Sequence, residues 1–269
     1  MDDEAGESMR DNGLVLALDA STPRCVIALG RISVARGEAS MLGGEIVSDA
    51  ANQASGRLIP AIEALLAGAN VSASDLDAVA CGRGPGTFTG TRVAVATAMG
   101  LALGAGCPAI EVSTLAAVAA SLERGGPTLA LLDARRDEVY GACFEVFHGE
   151  STGESTEGHA GGTVLPRVRP VGGERCLGLA ALLADISHDV WPVGPGVEPY
   201  LDAMPAEMRA RATATSGPTP RGLWHATLDA VVSRRLVQPA ALRAVYLRQS
   251  YAEMGVNVPK NPFKKNPFV

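Results

Sequence analysis

Apolar runs that end in an acid alternate along the chain with helical stretches that end in glycine. Residues 14–19 (LVLALD) form an unbroken apolar run closing on an aspartate, the pattern of a strand buried on both faces. After a short turn, residues 20–24 (ASTPR), a second strand is expected over 25–29 and a weaker third over 32–36. A polar stretch then leads to Ser55, a suitable N-cap for the helix that follows. In that helix Leu58, Ile59, Ile62, Leu65 and Leu66 keep to one face until Gly68, and Pro60 is expected near the first turn. Residues 76–81 (LDAVAC) predict another strand. It runs into a glycine-rich stretch, 82–90, and a second helix ending near Leu103.

The second half repeats this plan. Residues 129–133 (LALLD) are again an apolar strand ending in Asp-Ala, and 139–147 again a strand beyond a short polar turn. Residues 190–196 (VWPVGPG) again run a strand into Gly-Pro-Gly. Asp19 and Asp133 lie 114 positions apart, and Gly86 and Gly196 lie 110 apart. Two landmarks at nearly one period predict a duplicated α/β unit, two lobes facing each other across a cleft. Actin, Hsp70 ATPases and sugar kinases are built this way, so the expected fold is a pair of actin/Hsp70-like, ribonuclease H-like subdomains.

The division expected along the chain is a disordered acidic start (1–13), a first lobe (14–111) and a second lobe (112–221). The second lobe carries a mobile loop over 149–173, which includes a tandem GEST, and a flexible connection over 213–221. A last amphipathic helix, 222–237, is expected to pack back on the first lobe, ahead of a closing segment, 238–269, with two KNPF copies.

Composition narrows the chemistry. The chain of 269 residues has a net charge of -6 and only three lysines, Lys260, Lys264 and Lys265. General electrostatic binding of nucleic acid by the body is therefore not expected, although a local patch remains open. The five cysteines show no C-x-x-C spacing and sit mainly in apolar runs, as small buried hydrophobes do. The first thirteen residues are the opposite of a signal peptide. The charge-free run 93–110 is interrupted by Gly100, Gly104, Gly106 and Pro108, which favours a capped helix and a strand over a membrane span.

Candidate chemistry falls in two places. In actin-like folds the turns after both first strands cradle phosphates and an aspartate organises a metal; here those turns supply Asp19, Ser21 and Thr22, and Asp133. The second turn has Arg135 and Arg136 where a cradle wants glycine. The stretch 82–92 (GRGPGTFTGTR), with Gly84 and Gly86, fits either an anion site at a helix N-terminus or a tight turn capped by Thr87 or Thr89. An autonomous ATP-dependent phosphotransferase using Asp19 and Asp133 is the alternative to a binding role. In the helix beyond, Gly90, Ala94, Ala98 and Ala102 recur every four residues. Such a ridge suits close packing, either within the chain or against another subunit. The four histidines lie far apart and form no HxxxH or HExxH pattern, so metalloprotease chemistry is not expected.

Several blocks resemble the bacterial TsaB (YeaZ) family: LALDAST (16–22), RLIPAIEALL (57–66), the run 74–103 with GRGPGTFTGTRVAVATA at its centre, STLAAVA (113–119) and LLDARRDEVYGACF (131–144). AVYLRQSYAE (244–253) is similar to that family's closing P-x-YLR segment, with Ala244 in the proline's place. The resemblance implies the actin/Hsp70-like fold and a cytoplasmic, non-catalytic role. The chain would bind TsaD, the catalytic subunit that makes N6-threonylcarbamoyladenosine at position 37 of tRNAs reading ANN codons. It also implies a TsaE-type ATPase as a further partner and tRNA reached through the complex. ATP and metal would lie on partner subunits and no cofactor on this one. A homodimer is expected when the partner is absent, and no membrane association. The family's contact surface is its first two helices. Mapped here, it comprises Arg57, Leu58, Ile62, Leu65, Thr89, Arg92, Val93, Ala94, Ala96, Ala98, Met99 and Gly100. The family's His-Ser pair before the first helix is Ala54-Ser55 here, and the GEST and KNPF repeats lie outside its pattern.

Overall fold

The computed structural model describes residues 9–36, 38–49, 54–147 and 167–248. The expected GEST stretch, the KNPF tail and most of the acidic start lie outside the described residues. In chain order the first half is β1 (Gly13–Asp19), β2 (Cys25–Ser33), β3 (Glu38–Ser48), α1 (Ala54–Gly68), β4 (Ala78–Gly82), α2 (Phe88–Ala105), β5 (Ala109–Val112) and α3 (Thr114–Ala120). The second half is β6 (Gly126–Arg135), β7 (Glu138–Phe147), β8 (Arg167–Gly178), α4 (Leu179–Leu183), β9 (Trp191–Gly194), α5 (Val197–Tyr200), α6 (Ala206–Arg209), β10 (Thr213–Ala214), α7 (Pro220–Val232) and β11 (Leu236–Val237).

Two mixed sheets carry the duplication. One has the order β11-β5-β4-β1-β2-β3, the other β10-β9-β6-β7-β8. In both, the first three strands form an antiparallel meander, and the fourth and fifth add parallel on the other side of the first. The chain is thus an α/β protein of two actin-like lobes. α3 and α7 occupy equivalent places after the fifth strand of each copy and pack against each other between the sheets. Among the described residues, α2 is matched in the second copy by the short α5 and α6.

β1 shows why its sequence is apolar without interruption. Leu14, Leu16 and Leu18 point to the face covered by α1 and α2, while Val15 and Ala17 point to the core shared with α3 and α7. The shared core joins both sheets through Ile110, Leu115, Val118, Leu132, Leu223 and Trp224, all buried. Asp229 on α7, nearly buried, accepts from Arg167 Nε at 2.8 Å, which pins that helix to the start of β8. In the core between the first sheet and helices α1 and α2 sit Cys25, Cys81 and Cys107, buried and free, as small apolar side chains would be; burial pushes the Cys25 thiol up to about 12.

Four expectations about elements are corrected. The third strand is not 32–36, which ends β2 and forms the turn; it is β3, an exposed edge strand whose Gly43 and Gly44 interrupt any apolar alternation. Residues 167–173 of the expected loop 149–173 belong to β8, and within 213–221 lie β10 and the start of α7. Pro60 lies in the second turn of α1, because that helix begins at Ala54.

Candidate functional site

Two surfaces hold the residues that the sequence singled out. The first is the cleft between the lobes, about 570 Å³, lined by Ser21, Thr22, Arg24, Asp49, Gly86, Thr87, Asp133, Arg135, Glu198 and Ser216, among others. It brings the first-strand turns of both lobes together, with Ser21 and Thr22 facing Asp133. Asp19 and Gly84 do not line it.

Asp19 lies behind the Ser21 turn, fully buried. Its carboxylate accepts from the Ser21 backbone N–H at 2.6 Å and from Thr114 Oγ1 at 2.7 Å. The glycine-rich stretch closes over this turn: Thr87 N–H donates to Ser21 O at 2.7 Å, and a Cβ on Gly86 would stand 2.1 Å from that same oxygen. Gly84 has a φ of 99°, which only glycine adopts readily. Thr87 N–H, one backbone donor of this stretch, is therefore committed inside the chain. The stretch is the tight strand-to-helix turn, with Thr87 as N-cap accepting from Gly90 N–H. Of the two glycines expected at an anion site, Gly86 lines the cleft and Gly84 does not.

Asp133 is committed in a similar way. It accepts from Arg135 N–H at 2.7 Å and pairs with the Arg135 guanidinium at 3.2 Å. Arg135, Arg136 and Asp137 all take left-handed backbone, with φ of 64°, 58° and 60°. Each non-glycine residue there costs about 1 kcal/mol or more. From the C-terminal strap Arg248 donates to Ala134 O at 2.8 Å and pairs with Glu138 at 3.0 Å, which ties the two lobes. Asp19 is thus enclosed behind the cleft, while Asp133 lines it paired with the exposed Arg135.

Burial raises the Asp19 pKa above its ordinary 3.8, and the bonds from Ser21 and Thr114 only partly offset it. The folded protein then holds this proton more tightly than the unfolded chain. Below pH 3.8 both states are protonated and there is no penalty. As pH rises through 3.8 toward the folded value, the unfolded chain ionises first and stability falls. Asp19→Asn keeps the acceptor for Ser21 and can donate to Thr114 without a charge. It is expected to raise the urea midpoint at pH 7 and to match the parent near pH 3. An equal difference at both pH values would refute the assignment. Asp49 has the opposite sign, lowered mainly by the hydrogen bond from Arg24, but its side chain is half-exposed and contributes little.

The second surface is formed by α1 and α2. The ridge Gly90, Ala94, Ala98 and Ala102 faces inward: the three alanines are fully buried on the sheet, and a Cβ on Gly90 would stand 1.9 Å from Ala20 O. Leu58 and Ile62 of α1 are likewise buried. These four predicted contact residues, Leu58, Ile62, Ala94 and Ala98, are therefore core, since the sheet's own apolar face takes the ridge. Leu65, Val93 and Met99 are half-buried, while Arg57, Thr89, Arg92, Ala96 and Gly100 are exposed. The sequence reading missed Ile59, Phe88, Leu103 and Tyr246, all exposed. Leu103 continues the 96–100 spacing by one turn, a signal that was present. Phe88 was hidden in a stretch taken as loop.

α2 is long and apolar enough to cross a membrane by length and composition. Its packing is that of a sandwich layer, held between the Thr87 cap and a left-handed Gly106 cap, with one face on the sheet.

Residues 33–159 match the family model described as TsaD, tRNA N6-adenosine threonylcarbamoyltransferase. The tRNA threonylcarbamoyladenosine biosynthesis protein TsaB of Escherichia coli K12 is 36% identical over 146 residues, 51% of this chain and 60% of that protein. The TsaB of Haemophilus influenzae is 40% identical over 132 residues, 48% of this chain and 52% of that one. The matched stretch thus spans between half and three-fifths of these curated relatives. The solved structure of YeaZ from Pseudomonas aeruginosa covers 87% of this chain and all of its own, at 30% identity and a TM-score of 0.68. A likeness that runs through both lobes at this identity, with TsaB-named relatives matched across about half of the chain, places the protein in the TsaB/YeaZ family.

Proposed function

We propose that this chain acts in the biosynthesis of N6-threonylcarbamoyladenosine in tRNA, as a non-catalytic cytoplasmic subunit that binds and stabilises a TsaD-type catalytic subunit. The names of its relatives support the pathway. The carrying observation for the binding role is the outward face of α2. Thr89, Ala96 and Gly100 continue into Leu103, 59% exposed, and a Cβ on Gly100 or Gly104 would meet nothing within 4 Å. A helix glycine costs about 1 kcal/mol relative to alanine, and nothing in the packing of the described residues calls for these two. Small residues on an exposed apolar helix suit the close approach of a second helix. Arg57 and Ile59 of the neighbouring α1 extend the face.

In this reading a TsaE-type ATPase joins the pair and tRNA is reached through the complex. ATP and metal serve the partner subunits and no cofactor belongs to this one. The same face closes a homodimer when the partner is absent. The autonomous phosphotransferase gains no support from the cleft, where Asp19 is enclosed and Asp133 is paired. The test is co-elution with a TsaD-type chain in size-exclusion chromatography. Gly100→Arg, placed in open space, is expected to keep or slightly raise the parent's unfolding temperature and lose the complex. Undiminished co-elution overturns the assigned face.

A further inference from the structure

The N-terminal end of α2 carries a cluster that neither lobe packing nor the small-residue stripe explains. Phe88 and Tyr246 are 58% and 51% exposed, in a chain with only 4% aromatic residues. Their ring centroids lie 5.7 Å apart with planes tilted by 38°. The Arg92 guanidinium sits 3.7 Å from the Phe88 ring centre and 6.0 Å from that of Tyr246, and Arg92 Nε donates to the Tyr246 hydroxyl at 3.0 Å. Tyr246 is held in place from behind. Leu242 is buried under α2, and Val245 N–H donates to Arg83 O at 2.8 Å. The rings are thus presented to solvent on a fixed base.

Charge favours an anionic ligand here, against the trend of the chain. The two segments that build the cluster, 82–110 and 230–248, contain arginines and no Asp or Glu, although the whole chain is at -6. Among the described residues no carboxylate lies within ion-pair distance of Arg92. A ligand that offers a flat π face and a phosphate at short fixed spacing satisfies both features at once. The rings stand too close to admit a base between them, since two stacking steps need about 7 Å. With the guanidinium over one face of Phe88, a base stacks on the open face.

We propose that Phe88, Arg92 and Tyr246 form a stacking platform for an unpaired base of single-stranded RNA, with the flanking phosphate on the Arg92 guanidinium. This goes beyond the partner-binding reading: it uses the N-terminal end of α2, Arg92 of the predicted contact residues included, and has RNA touch this chain itself and not only its partner.

The experiment is fluorescence anisotropy of a labelled adenine-rich single-stranded RNA with the full chain, alone and with a TsaD-type subunit. Binding is expected to weaken with salt and to be weaker for the same strand in a duplex. Phe88→Ala and Tyr246→Ala are each expected to lose about tenfold in affinity at unchanged unfolding temperature, and Phe88→Trp to retain it. Arg92→Gln is expected to lower the slope of log affinity against log salt by about one. No RNA binding in either setting overturns the proposal, as does parent-like affinity in Phe88→Ala. If AMP displaces the RNA as well as unlabelled RNA does, the site is one for free nucleotides and the proposal fails. If Phe88→Ala loses co-elution but not RNA affinity, the cluster belongs to the protein interface. Gly100→Arg losing co-elution while keeping RNA affinity supports two separate surfaces, whatever becomes of the partner reading.

Discussion

Gly90→Ala is expected to lower the stability of this protein by about 2–3 kcal/mol, while the same change at Gly100 or Gly104 raises it by about 1 kcal/mol. All three glycines lie in α2, where alanine is the better helix former. The new methyl group at position 90 would stand 1.9 Å from Ala20 O and 2.6 Å from Thr87 Oγ1. The first of these is backbone, belonging to the turn that closes β1 over Asp19. Neither the helix nor the turn can yield without the other: Thr87 N–H is bound to Ser21 O, and Ser21 N–H to the Asp19 carboxylate. At positions 100 and 104 the methyl group meets nothing within 4 Å, so only the gain in helix propensity remains. Thermal unfolding followed by circular dichroism checks the sign. About 2–4 °C per kcal/mol is expected for a chain of this size. A neutral Gly90→Ala would mean that α2 does not bear on the β1 turn.

How legible the molecule was in its sequence follows from the same residues. The duplication could be read because β1 and β6 are buried on both faces, which forces apolar runs closing on Asp19 and Asp133. β3 and β8 were not legible for the opposite reason. They are edge strands with one row of backbone groups unpaired and much of their surface in solvent, so Gly43, Gly44, Gly172 and Gly173 are tolerated and no alternation survives. The tight-turn alternative for 82–92 rested on a cap by Thr87 or Thr89, and Thr87 is the cap, yet no local pattern showed that the turn after β1 lies against it. The ridge at every fourth position was visible in the sequence. Its direction was not, because small residues serve equally well against a sheet and against a second subunit, and only the buried sheet face decides.

That direction makes two positions one short step apart on α2 give opposite results. Ala98 is fully buried between α2 and the sheet, while Ala96 is exposed. Ala98→Glu places a carboxylate among Leu16, Leu18, Val79 and Cys81 of the same apolar cluster, with nothing polar to receive it. An unpaired charge buried there is expected to cost at least 4 kcal/mol, a large part of the roughly 5–15 kcal/mol that holds a domain together. The variant should be recovered unfolded or with its unfolding temperature sharply reduced, and it says nothing about partners. Ala96→Glu leaves the carboxylate in water, and its stability should stay within about 0.5 kcal/mol of the parent. If the outward face of α2 meets a TsaD-type subunit, that carboxylate is trapped unpaired only in the complex. Affinity should then fall by about a hundredfold or more, the scale of an uncompensated interfacial charge. Calorimetric titration with the partner and thermal unfolding of both variants separate the cases. A stable, parent-like Ala98→Glu would reverse the orientation of the helix. A stable Ala96→Glu that binds as the parent does would leave the face of α2 without its partner.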